Sequence, residues 1–86
     1  MRCRVVVKTP VEVLPGRTGC VEVEIPGREH LAELRIIEPH RRETRVLVAR
    51  GIVQTRSEEV MIRVVNVGDK PVKLHRNERI GICESF

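Results

Sequence analysis

Apolar residues recur at every second position along most of this chain, in runs too short for long elements. Val21, Val23 and Ile25 alternate with Glu22 and Glu24, and Val60, Ile62 and Val64 alternate with Met61, Arg63 and Val65. A period of two sends successive side chains to opposite faces, so each run predicts a strand with one buried and one wet face. Residues 3–8 read as the first strand, with Cys3, Val5 and Val7 sharing a face; Pro10 ends it or opens an edge strand over 11–14. Strands over 20–25, 59–67, 71–74 and 79–84 follow the same pattern. Pro15-Gly16, Pro26-Gly27, a polar stretch over 54–58 and Arg76-Asn77 are the turns between them, and Gly68-Asp69-Lys70-Pro71 predicts a hairpin-like reversal.

Two segments depart from simple alternation. Over 31–37, Leu31, Leu34 and Glu38 also fit a helical face, but Leu34 and Ile36 alternate with Glu33 and Arg35 and the segment is short, so a strand is expected. Over 44–53 the apolar run Val46, Leu47, Val48, Ala49 is nearly continuous, which predicts a central strand buried on both faces, with Gly51 marking a bulge or a close backbone approach. Together these elements predict an all-β domain, a small antiparallel β-sandwich or barrel of about seven short strands spanning 1–86.

Composition sharpens this reading. A chain of 86 residues supports one modest core,, and with Phe86 the sole aromatic that core has to be aliphatic. Val and Ile are stiff at χ1 and favour strands. The longest apolar runs are far shorter than the roughly 18 to 20 residues of a membrane span, so neither a span nor a signal peptide is expected. Cys3, Cys20 and Cys83 are widely separated and unpaired in spacing, which fits buried thiols in a reducing, intracellular compartment, cytoplasm or nucleus. They lack the close ligand pairs of structural zinc sites, so no metal and no cofactor is expected.

The formal charge is +4, from 16 Lys and Arg against 12 Asp and Glu. Most of these charges interleave as a solvated sheet face would. Two clusters stand out: Arg41, Arg42 and Arg45 beside His40, and Lys70, Lys73 and Arg76. Both could meet phosphates in a nucleic-acid-binding module, although the chain lacks the aromatics on which single-stranded bases stack.

Catalytic patterns fail one by one. Aspartic-protease chemistry needs paired Asp-Thr-Gly or Asp-Ser-Gly loops, and the lone Asp69 is followed by Lys70-Pro71. Neither Ser57, Ser85 nor any of the cysteines sits beside a histidine in a nucleophile setting. Gly16 and Gly19 precede no helix that could cradle a phosphate. The expected protein is not an enzyme.

Leu47-Val48-Ala49-Arg50, Ile52-Val53, Ile62-x-Val64-x-Asn66, Pro71-Val72-x-Leu74 and Ile80-Gly81, in that order, resemble the small segment of Ty3/Gypsy-type retrotransposon Pol polyproteins that lies between protease and reverse transcriptase. The likeness covers most of the chain, strongly from Glu38 onward. It implies an all-β, non-enzymatic module that packs against neighbouring Pol domains or self-associates. Asn77 stands where that family commonly has Gly; Asn is the non-glycine residue that best tolerates a left-handed backbone. The stretch from Val72 to Gly81 is also similar to the closing strand pair of dUTPase-like β-barrels, but the Asp and the glycine-rich lid of those enzymes have no counterpart here, so the likeness concerns fold alone. The expected function is structural or protein-interacting, with Met61, Val65 and Val67, opposite the core-like set, as the interaction face. The alternatives are nucleic-acid binding through the two basic clusters and an inactive dUTPase-like barrel.

Overall fold

The computed structural model describes residues 2–27 and 34–84. Over these residues the protein is all-β. The strands are β1 (Cys3–Val7), β2 (Val11–Val13), β3 (Thr18–Glu24), β4 (Leu34–Pro39), β5 (Leu47–Val48), β6 (Gly51–Gln54), β7 (Val60–Val65), β8 (Val72–Leu74) and β9 (Arg79–Glu84). Seven form one curled antiparallel sheet in the order β5-β7-β3-β1-β9-β4-β6, a half-barrel, and β2 and β8 form a separate two-stranded sheet.

Alternation places the core. Val21 and Val23 of β3 and Val60, Ile62 and Val64 of β7 are buried in register, Val21 opposite Ile62 and Val23 opposite Val60. Val5 and Val7 of β1, Ile37 of β4, Leu74 of β8 and Ile80 of β9 join them in one aliphatic cluster. Each such side chain contributes about 1.5 to 3 kcal/mol by leaving water.

Strand β9 lies inside the sheet, between β1 and β4. Its register against β1 slips where Val5 pairs with Gly81 and Val6 with Arg79, so both Ile80 and Gly81 are buried. Gly81 is required by proximity: a Cβ there would stand 3.0 Å from the Glu38 carbonyl oxygen and 3.4 Å from the Val5 Cβ. Asn77 has φ 70°, as its tolerance of the left-handed region predicts, and its N–H donates to the Val7 carbonyl at 2.8 Å.

The Gly68–Pro71 turn does not close a hairpin. It carries the chain from β7 to the small sheet, where β8 pairs with β2. Asn66 fixes this crossing. Its side chain has no exposure; Nδ2 donates to the Val13 carbonyl at 2.9 Å and the Lys70 carbonyl at 2.8 Å, and Oδ1 accepts from the Gly68 N–H at 3.0 Å. Its backbone bonds to Gly16 and Arg17, so one buried amide ties β2, the β2–β3 turn and the β7–β8 turn together.

Three further expectations change. The run over 44–53 is two strands, and they lie at the two edges of the large sheet: β5 pairs with β7, β6 with β4. Leu47 and Ile52 are each 61% exposed, because an edge strand on a curled sheet has only one face over the core. Gly51 pairs with Ile37 in an unbroken β4–β6 register and has open space where a Cβ would stand, so it marks neither a bulge nor a close approach. In β4 the buried positions are Arg35 and Ile37, while Leu34 is exposed; residues 31–33 lie outside the described set. Arg35 is accommodated because its Nε donates to the Cys83 sulfur at 3.0 Å, with a longer bond of 3.5 Å from Nη2 to the Cys83 carbonyl. Burial pushes the Cys83 thiol above its ordinary pKa, and the Arg35 hydrogen bond only partly offsets that. Cys83 is buried and Cys3, directly opposite it, is half-buried, but Cys20 is exposed on the outer face of β3.

Candidate interaction surface

The edges of the large sheet meet at a seam. β5 continues its ladder with β7 as far as the Ala49 N–H, which donates to the Arg63 carbonyl at 2.8 Å. The chain then leaves β7 and crosses at Ala49 and Arg50 to pair with β4 as β6. Antiparallel strands send the backbone groups of alternate residues to the same side. Met61, two residues before Arg63, therefore aims its N–H and C=O toward the seam, beyond the end of β5. No ladder joins β6 to β7 among the described residues. A groove of about 420 Å³ runs along this gap, lined by Ile37, residues 49–53 and residues 61–63.

The three residues expected on the interaction face are divided by this geometry. Met61, 46% exposed, overhangs the seam together with Ile52. Val65 is half-buried beside Leu47, its partner in the ladder, and Val67 is 66% exposed just beyond the strand. Arg63 separates Met61 from Val65 along β7. Leu47 and Ile52 were missed by sequence because their run read as buried on both faces; the signal available was Arg50-Gly51, a charged and flexible pair that breaks the run. Ile52 also faces Ile36 across the β4–β6 ladder, with Leu34 two residues on. The seam is thus bordered by apolar side chains on the β6 side as well as by Met61.

The basic residues also separate. Arg45 spends its guanidinium on two carboxylates: Nη2 meets Glu43 Oε1 at 2.7 Å and Nη1 meets Glu78 Oε2 at 2.6 Å. Glu43 Oε2 also accepts from the Arg45 N–H at 2.7 Å and the Val46 N–H at 3.3 Å. Burial alone would raise the Glu43 pKa, but the bonds and charge of Arg45 hold it below the ordinary carboxylate value. Burial likewise opposes ionisation of Glu78, and the His75 N–H and Arg45 more than compensate, so its pKa is lowered. The Glu43 hydrogen bond, opposed by burial and aided by Glu78, raises that of Arg45. The triad clamps the β4–β5 loop to the β8–β9 turn.

Lys73 stands directly opposite Glu12 in the β2–β8 ladder, and Lys70 and Arg76 lie at opposite ends of β8. These three are exposed and do not converge. Arg41 and Arg42 instead line a hollow with Arg2 and Arg79, two residues the sequence reading left out.

No protein-family model and no curated protein matches this chain. Among the described residues no group of three or more His, Cys, Asp or Glu could hold a metal ion, and no helix is long and apolar enough to cross a membrane.

Proposed function

We propose that this protein is a non-enzymatic interaction module of a retroelement-derived Pol polyprotein, and that it receives an extended segment of a neighbouring Pol domain along the β6–β7 seam. The single observation that carries the reading is the seam itself, where two strand edges border a groove with Met61 and Ile52 at its rim. Unpaired strand edges bind extended peptides by main-chain hydrogen bonds, while side-chain pockets alongside give selectivity. The origin in a Pol polyprotein is supported by the ordered motifs from Leu47 to Gly81.

The test is to offer the protein the polypeptide encoded on either side of it in its parent gene and measure binding by calorimetry and amide hydrogen exchange. A flanking segment should bind, protect the amide of Met61 and those over 51–53 that face away from β4, and lose about tenfold or more in affinity with Met61→Asp or Ile52→Asp, since tenfold is only about 1.4 kcal/mol,. Both side chains are exposed, so the variants should melt like the parent. Failure of both flanks to bind would refute the reading, as would binding indifferent to both substitutions.

A further inference from the structure

A second surface lies on the outer side of β9, away from the seam. Arg2, Arg41, Arg42 and Arg79, with His40 and Ile82, line a hollow of about 510 Å³. Three separate segments deliver these arginines, and each is anchored. The turn carrying Arg41 and Arg42 is pinned to β9 by the His40 N–H, which donates to the Ile80 carbonyl at 3.1 Å. It is closed by the Glu43 N–H, which donates to the His40 carbonyl at 2.9 Å. Arg79 is in register with Val6 of β1, and Arg2 is held by Glu84 at 2.6 Å.

Glu38, opposite Ile82 in the β4–β9 ladder, is already paired with Arg50 at 3.6 Å. Glu84 answers Arg2, while Arg41, Arg42 and Arg79 form no ion pair among the described residues. The basic surface continues past Arg79 into an adjoining hollow of about 410 Å³ that Arg4 shares with Val6 and Asn77. Its one carboxylate, Glu24, forms no ion pair with either arginine.

We propose that this face binds the phosphodiester backbone of a nucleic acid without regard to base sequence. The guanidinium fork matches the oxygens of a phosphate bidentately. Several forks on anchored backbone, unanswered by carboxylates, repel one another until an anion arrives. Two adjoining hollows that share Arg79 suit a chain of phosphates rather than a single one. The lining holds no Phe, Tyr or Trp and the His40 imidazole is its one aromatic ring, so successive bases find no continuous stacking platform and sequence goes unread,. The site shares no residue with the seam, so it stands or falls separately from the proposed peptide binding.

The experiment is fluorescence anisotropy with a labelled single-stranded RNA of about 20 nucleotides, titrated across salt. Four unpaired arginines meeting four phosphates give a slope of about −2.8 in log affinity against log salt, so affinity should fall about 50-fold between about 50 and 200 mM. The double variant Arg41→Gln/Arg79→Gln should halve that slope and weaken binding tens of fold at the lower salt. Arg4→Gln/Arg42→Gln is the second such pair, should the first alter the circular dichroism of the fold. Lys70→Gln/Lys73→Gln, on exposed residues that line neither hollow, should change affinity less than about threefold. No binding at about 50 mM salt, or equal binding by folded variants of both arginine pairs, overturns the proposal. Equal competition by a polyglutamate peptide does so too, identifying the face as one for acidic proteins.

Discussion

Replacing Asn66 tests how this fold holds its two sheets together. The side chain makes three hydrogen bonds at 2.8 to 3.0 Å, each contributing about 0.5 to 1.5 kcal/mol net,. In Asn66→Ala the Val13 carbonyl, on a residue only 2% exposed, loses this partner in the interior. That adds about 1 to 3 kcal/mol, while the Lys70 carbonyl and Gly68 N–H belong to exposed residues and can turn to water,. The expected loss is about 3 kcal/mol. A chain of this size has a total stability of about 4 to 13 kcal/mol, so the midpoint of thermal unfolding should drop by about 12 to 24 °C.

Asn66→Asp separates hydrogen bonding from packing. The shape is nearly kept, but an oxygen replaces the amide nitrogen that faces the Val13 and Lys70 carbonyls, so an anion meets two acceptors in a buried site. The introduced carboxyl should have a folded pKa above its unfolded value of about 3.9. A group with a raised folded pKa contributes its stability below the unfolded pKa and loses it as pH rises through the folded one. The deficit of Asn66→Asp relative to the parent should therefore exceed that of Asn66→Ala at pH 7 and shrink toward pH 4, while the alanine deficit stays nearly flat. The chain has no Trp or Tyr, so urea unfolding is best followed by far-ultraviolet circular dichroism. An alanine deficit under about 1 kcal/mol, or an aspartate deficit independent of pH, would refute the account of Asn66 as the tie between the sheets.

Two other substitutions follow from the same geometry. Gly81→Ala should cost about 1 to 3 kcal/mol in urea unfolding, because the new Cβ meets the Glu38 carbonyl oxygen at 3.0 Å and backbone cannot rotate aside; Gly51→Ala, with open space around it, is the near-neutral control,. Arg45→Met should cost about 1 to 2 kcal/mol at neutral pH: the Glu43 side chain is 2% exposed, but Arg45 itself is 41% exposed and solvent screens part of the loss,. Glu43 and Glu78 have lowered folded pKa values, so their contribution is present above the unfolded value of about 4.3 and is lost as pH falls through the folded values,. The deficit of Arg45→Met should accordingly fade in acid, and a deficit unchanged between pH 7 and pH 3 in stability curves would count against the clamp.

The strands with strict alternation were legible because one face is buried and the other wet: β3 and β7 carry their apolar sets where parity puts them. The β4 parity was obscured by Arg35, which is buried with its Nε on the sulfur of Cys83, 48 positions away in sequence. Pairing was illegible for a similar reason. Nothing local at Gly68–Pro71 says that β8 will meet β2, since that choice is made by Asn66 reaching Val13 across the fold. The basic clusters illustrate the limit for sites. Neighbours in sequence, such as Arg42 and Arg45, diverge toward a hollow and a carboxylate pair, while Arg2, Arg41 and Arg79 come together only through the β1–β9–β4 order.

The seam follows from how the protein manages its sheet edges. A half-barrel has two, and this chain covers both with one short stretch, β5 against β7 and β6 against β4. A strand that pairs with one edge and then crosses to the other cannot also bridge the gap it crosses, so an open edge remains at Met61 and along residues 51–53. In the strand order β1 is central, three strands from either edge, with β9 beside it. Curling the sheet brings the edges toward each other and leaves the outer face of β1 and β9 pointing away from the seam. An extended peptide at the seam and a nucleic acid on the arginine face would then occupy opposite sides of the same small domain. Met61→Asp should spare RNA binding and Arg41→Gln/Arg79→Gln should spare peptide binding; if either variant abolished both, the two surfaces would not be independent and the placement of one of them would be wrong.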